Sequence, residues 1–187
     1  KVDIDKLKAE FSKSEFKFIE IADLRAFIEG KLQQMLERNI TRVDFAERYQ
    51  GIVNQYNAGG TATEVSFEEL INFANDLNTE EERHIREGLT EEELELFDLM
   101  RKEKITKAEE LALKNAAKML LKRLREEKPV VLVQNWEKDF QSQTKVKSAI
   151  EETLDQNLPA GYDRLSFKQV CDRIYNLIFE RAVQGMA

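Results

Sequence analysis

The sequence predicts an all-α fold: an irregular helical bundle of about seven to nine helices with no significant sheet. Three observations predict it. Apolar residues recur at i, i+3, i+4 and i+7 along most of the 187-residue chain, the spacing of one buried helical face. Four of these stripes are preceded by Ser or Thr with Glu or Gln three residues later, the spacing with which a helix satisfies its own first N–H groups. Two prolines and seven glycines are few, and a single run has β-like character.

The elements follow in chain order. Leu24, Phe27, Ile28, Leu32, Met35 and Leu36 make one stripe from about Ile19 to Arg38. "TRVD" (Thr41 to Asp44) opens a second helix carrying Phe45, Tyr49, Ile52, Val53 and Tyr56. "NAGGTAT" (Asn57 to Thr63) is the clearest loop, because its two glycines release the chain from helical geometry. "SFEE" starts the next helix, with Ser66 and Glu69 at capping-box spacing and Leu70, Ile71, Phe73, Ala74 and Leu77 on the buried side.

Thr90 with Glu93, Thr106 with Glu109 and Ser166 with Gln169 repeat that spacing. After Thr106 the stripe runs Leu113, Ala117, Leu120, Leu121 and Leu124, ending before Pro129. "PVVLVQNW" (Pro129 to Trp136) is the β-like run; being isolated, it reads as a buried extended link or a helix start. Val146, Ala149, Ile150, Leu154 and Leu158 form another stripe, stopped by Pro159 and Gly161, and Phe167, Val170, Cys171, Ile174, Leu177 and Ile178 form the last.

Composition bounds the function. Hydrophobic residues at 42% suffice for a core, and 35% charged residues supply a solvated surface. A formal charge of −7 excludes attraction of the whole chain to nucleic acid, leaving only a local basic face to consider. The single cysteine, Cys171, rules out an internal disulfide framework and fits a reducing cytoplasm. The single histidine, His84, leaves little material for a zinc site. No apolar run approaches the ~20 residues that span a bilayer, and no signal-peptide pattern is present, so no membrane is expected as a partner. The first residue is Lys1 rather than methionine, as expected of a piece processed or excised from a longer protein.

The strongest hint of catalysis is the acidic burst in "GLTEEELELFDLM" (Gly88 to Met100), since paired carboxylates serve acid–base chemistry. Its register argues otherwise. Thr90 stands at N-cap and Glu93 at N3, Leu89 and Leu94 are placed for a hydrophobic staple, and Glu91 and Glu92 meet the positive end of the helix dipole. A catalytic carboxylate needs desolvation or a close partner, and a first-turn surface position supplies neither.

His84 in "EEERHIREG" is flanked by charge, and no serine or cysteine pattern accompanies it. Cys171 shares an apolar face with Ile174 and reads as a small core residue. "NAGG" lacks the GxxxxGK[ST] context of a phosphate loop. One basic feature remains: Lys114, Lys118, Lys122 and Arg125 recur at i, i+4, i+8 and i+11 along one helix face, a stripe able to meet phosphates. The alternative is the solvated side of an amphipathic helix, and Glu109, Glu110, Glu126 and Glu127 dilute its ends. Trp136 reads as an aromatic anchor for the core or for a partner.

Two segments carry a family resemblance. "GLTEEELELFDLM", followed by "NWEKDFQSQTKVKSAIEETLDQNLPAGYDRLSFKQVCDRIYNLI" (Asn135 to Ile178), resembles the C-terminal helical domain of type I restriction enzyme R subunits. The matching positions are Thr90, Glu93 and Phe97, then Trp136, Val146, Ile150, Leu154, Leu158, Pro159, Tyr162, Asp163 and Phe167. They cover about half the chain and are structural in type.

The resemblance implies that residues 1–187 are one all-α C-terminal domain of a larger subunit, with layers 1–57 and 64–187 as an alternative division. The parent subunit is expected to be an ATP- and Mg2+-dependent DNA translocase and endonuclease. No nuclease, Walker or DEAD-box motif matches these residues, so no catalytic, metal or cofactor site is expected in them. The implied partners are the modification (methyltransferase) and specificity subunits, with DNA as an indirect partner and the cytoplasm as the compartment. Two readings follow: an assembly domain docking the motor onto that core, or an accessory domain whose Lys114, Lys118, Lys122 and Arg125 contact DNA phosphates. A free-standing enzyme is the third and least supported.

Overall fold

The computed structural model describes residues 3–13, 17–128 and 130–185. The described residues form nine α-helices and two 3-10 turns and contain no strand. The helices are α1 (Ile4–Lys13), α2 (Lys17–Arg38), α3 (Val43–Ala58), α4 (Thr63–Glu81), α5 (Arg83–Glu87), α6 (Glu91–Met100), α7 (Lys107–Glu126), α8 (Phe140–Asn157) and α9 (Arg164–Val183). The chain divides into two compact units, Lys1–Gly88 and Leu89–Ala187. Gly88 ends α5 in the left-handed conformation (φ 66°), and its N–H caps the carbonyls of His84 and Ile85.

In the first unit, α4 packs against α2 and α3. Ile21, Leu24, Ile28, Leu32 and Met35 of α2 are buried with Leu70, Ile71, Phe73, Ala74 and Leu77 of α4, and Tyr49 and Val53 of α3 complete the cluster. Each such side chain, fully buried, contributes roughly 1.5–3 kcal/mol. The loop Asn57–Thr63 therefore lies inside this unit, where α3 gives way to α4. Helix α1, not among the stripes named above, carries Ile4, Leu7 and Phe11 at i, i+3 and i+7, and the Phe11 ring stacks on Phe67 at 3.6 Å.

A buried ionic clasp joins the far end. Arg42 (2% exposed) donates from Nε to Glu80 at 3.0 Å and from Nη1 to the Met35 carbonyl at 3.3 Å, while Arg83 donates to the other Glu80 oxygen at 2.8 Å. Such a pair tolerates burial because several donors surround the one carboxylate.

In the second unit, α6 packs on α7, α7 on α8, α8 on α9, and α9 returns to α6, closing a four-helix bundle. Leu94, Phe97, Met100, Leu113, Leu120, Val146, Ile150, Leu154 and Ile174 fill it. Short connections make sequence neighbours into spatial neighbours.

Five local expectations are corrected. Ser66 does not cap α4: the helix starts at Thr63, the Ser66 N–H already bonds the Ala62 carbonyl, and the Ser66 hydroxyl is buried with no partner. Ser166 does not cap α9: Asp163 does, accepting from the Ser166 N–H at 2.7 Å. "TRVD" opens in a 3-10 turn (Ile40–Arg42) capped by Asn39, whose side chain accepts from the Thr41 N–H and hydroxyl. Phe27 keeps the helical spacing of its stripe yet stands 43% exposed. The "PVVLVQNW" run is neither strand nor helix: Val130–Asn135 is an irregular turn leading into the 3-10 turn Trp136–Lys138, while Pro129 lies outside the described residues. Asn135 turns the chain there with φ 59°.

Candidate functional site

The acidic opening of α6 is a helix start. The Glu93 N–H donates to Thr90 Oγ1 at 3.1 Å, and the Thr90 N–H donates to Glu93 Oε2 at 2.8 Å. Leu89 and Leu94 are both buried, as a staple requires. Glu92 pairs with Arg125 of α7. Thr106 and Glu109 repeat the box at α7: the Thr106 N–H donates to Glu109 Oε2 at 2.7 Å, and the Glu109 N–H donates to Thr106 Oγ1 at 3.2 Å. Hydrogen bonding to Thr106, its backbone N–H foremost, holds the Glu109 carboxyl below its usual range. A carboxylate that accepts from its own backbone is a poor proton acceptor for anything else.

The remaining signature residues build the closing corner of the bundle. Val146, Ile150 and Leu154 are fully buried, and Phe97 is 2% exposed. Trp136 (3% exposed) meets Tyr175 and Phe179 edge-on at 6.0 and 5.9 Å, so its anchor role is served within the core. Tyr162 donates its hydroxyl to the Met100 carbonyl at 2.5 Å, fastening the α8–α9 turn to the end of α6, and Lys102 lies 4.3 Å over its ring. Burial of the Tyr162 phenol, then the nearby Glu109 charge, raises its pKa. Hydrogen bonds from Ser166 hold the Asp163 carboxyl low. Pro159 and Phe167 line a shallow cavity of about 370 Å3 beside this corner, together with Leu158 and Tyr162.

The basic stripe lies along α7, but it is interleaved with acid. Lys114 pairs with Glu110 at 2.8 Å, which lowers the Glu110 pKa, and reaches over Phe97. Lys122 lies 3.8 Å from Glu126, and Arg125 pairs with Glu92. Lys118 is exposed and, among the described residues, makes no ion pair. The stronger cationic hub is Arg123, one step off the stripe. It donates to Glu127 at 3.2 Å, Glu152 at 2.8 Å, Thr153 at 3.1 Å and the Ala149 carbonyl at 3.2 Å, clamping α7 to α8. The Glu152 carboxylate beside it is the main reason its pKa is raised. Glu127 lies at i,i+4 from Arg123, but Ala149, Glu152 and Thr153 belong to another helix, and that part of its role carries no local sequence signal.

His84 sits half-buried in α5 with Nδ1 2.9 Å from the Glu81 carbonyl. Cys171 is 4% exposed, and burial pushes its thiol up to about 12. Among the described residues no group of three or more His, Cys, Asp or Glu is placed to hold a metal ion. Among them no helix is long and apolar enough to cross a membrane.

No curated protein and no solved structure matches the chain. A family described as "Type I restriction enzyme HindI endonuclease subunit-like, C-terminal" matches residues 1–182. With nearly the whole chain covered, and with the resembling segments forming the caps, core and closing corner of an all-α bundle, this chain belongs to the C-terminal domain family of type I restriction enzyme endonuclease subunits.

Proposed function

We propose that this chain is the assembly domain of its restriction subunit. It docks the ATP-dependent translocase and endonuclease onto the modification (methyltransferase) and specificity subunits, in the cytoplasm, and supplies no catalytic group itself. The observation that carries the reading is where the charged side chains are spent. The carboxylates that first suggest acid–base chemistry close capping boxes or neutralise arginines, as Thr90–Glu93 and Glu92–Arg125 do. On this reading the ATP and Mg2+ expected of the parent subunit bind in another part of it.

Phosphate contact through Lys114, Lys118, Lys122 and Arg125 draws less support. A cation already paired with a carboxylate releases little counterion on meeting DNA, and three of the four are so paired.

The test is a pull-down of the purified modification–specificity core by this chain, with and without DNA. Retention of the core without DNA is the expected result; no retention in either condition overturns the reading. Steep, salt-sensitive DNA binding by the chain alone, lost on reversing the charge of Lys118 and Lys122, establishes the phosphate reading instead.

A further inference from the structure

One cavity in the first unit combines an apolar floor with an acidic rim. It lies along α1 and α2 and has a volume of about 310 Å3. Leu7, Leu24 and Phe67 form its floor, and Phe27 projects into it at 43% exposure although the next residue, Ile28, is fully buried. Its rim is acidic: Glu10 comes from α1, Glu20 and Asp23 come from α2, and no Lys or Arg is among the described residues that line it. Glu10 has Lys6 one turn away at 3.9 Å, both side chains solvated. Glu20 and Asp23 make no ion pair among the described residues, in contrast to the acids around α7.

We propose that this groove seats a cationic amphipathic helix of a partner protein. Large apolar side chains of that helix enter beside Phe27 and Leu24, and Lys or Arg one turn to either side meet Glu20 and Asp23, the usual anchor spacing of a helix in a groove.

Charge complementarity selects this occupant. DNA and anionic lipid are repelled by Glu20 and Asp23, and an acidic helix would set like charges against one another. A purely apolar segment would strip water from the rim without repaying it. The placement of the helix in the modification–specificity core rests on the assembly reading; the chemistry of the groove does not.

The experiment titrates the full chain into a fluorescein-labelled Leu/Lys amphipathic peptide of about 18 residues, with a Leu/Glu peptide of the same pattern as control. Binding of the Leu/Lys peptide is expected. It should weaken by about tenfold or more in Phe27→Ser and in Glu20→Lys/Asp23→Lys, with far-UV circular dichroism unchanged. Should charge reversal unfold the unit, Glu20→Gln/Asp23→Asn serves in its place. Equal binding of the Leu/Glu peptide, binding that no variant changes, or no binding of the Leu/Lys peptide overturns the proposal.

The same variants are then compared in pull-downs of the core. Undiminished retention by the variants overturns the groove as the partner's seat while leaving the assembly reading standing. No retention by the unmodified chain overturns the assembly reading, and the peptide titration still decides the groove.

Discussion

Arg181 in the last turn of α9 holds a guanidinium nitrogen 2.7 Å from Glu95, a carboxylate on α6 that is 1% exposed. This contact joins the last helix of the four-helix ring to the first through a carboxylate buried beside the apolar core. Removing one member of a buried pair leaves the other short of a partner in low dielectric. Arg181→Met is therefore expected to lower unfolding stability by about 3 kcal/mol, and Glu95→Leu with Arg181→Met to recover most of it. Urea midpoints for the two variants check this; an unchanged midpoint in Arg181→Met would show that the pair contributes nothing.

Tyr162 fastens the α8–α9 corner through one bond to the Met100 carbonyl. Tyr162→Phe keeps the ring and removes only the donor, so the expected loss is about 1 kcal/mol. Asp163→Ala removes the cap of α9 and should lower the melting temperature, whereas Asp163→Asn retains an acceptor and should largely preserve it. Thermal unfolding of the three variants separates the cap from the corner bond.

The Cys171 thiol, lifted to about 12 by burial and only 4% exposed, is protonated at neutral pH and shielded from reagents. Native protein should react with a thiol-specific disulfide reagent at pH 8 at least about a hundredfold more slowly than protein in urea. Rapid labelling of the native chain would contradict both the burial and the raised pKa.

Alkaline titration reports on the first unit. Burial, and then the hydroxyl's 2.6 Å bond to Glu29, raise Tyr49 to about 12 against an ordinary value of 10.0. A group with a raised folded pKa stabilises the native state fully below its unfolded pKa, and that contribution is lost as pH rises through the folded one. The stabilisation from Tyr49 is thus expected to be intact below pH 10 and to vanish between about 10 and 12. Absorbance at 295 nm should show a tyrosine step near 12 that Tyr49→Phe removes; survival of that step in the variant would refute the assignment.

What the sequence made legible was local. Thr90–Glu93 and Thr106–Glu109 bond within one turn, so their spacing alone foretold the caps. Ser66 and Ser166 show the limit of that logic: the same spacing recurs when a helix begins a turn earlier, at Thr63 or after Asp163. Phe27 obeys the period of its stripe, but exposure depends on what stands across the groove, which periodicity does not encode. The Lys114–Arg125 stripe was legible as a face, whereas the Glu92 that meets it belongs to another helix. Arg42 and Glu80, 38 residues apart, carried no signal at all. Long-range pairing is the information a single sequence conceals.

The ring of α6, α7, α8 and α9 has a consequence for how the unit forms in time. Three of its four interfaces join helices adjacent in the chain, which keeps loop closure short and collapse fast. The fourth spans 62 residues at Tyr162–Met100 and 86 at Arg181–Glu95. These contacts are expected to lock after the rate-limiting barrier, so Arg181→Met should accelerate unfolding in stopped-flow experiments while leaving refolding nearly unchanged. The last helix would then act as a latch that sets the lifetime of the native bundle.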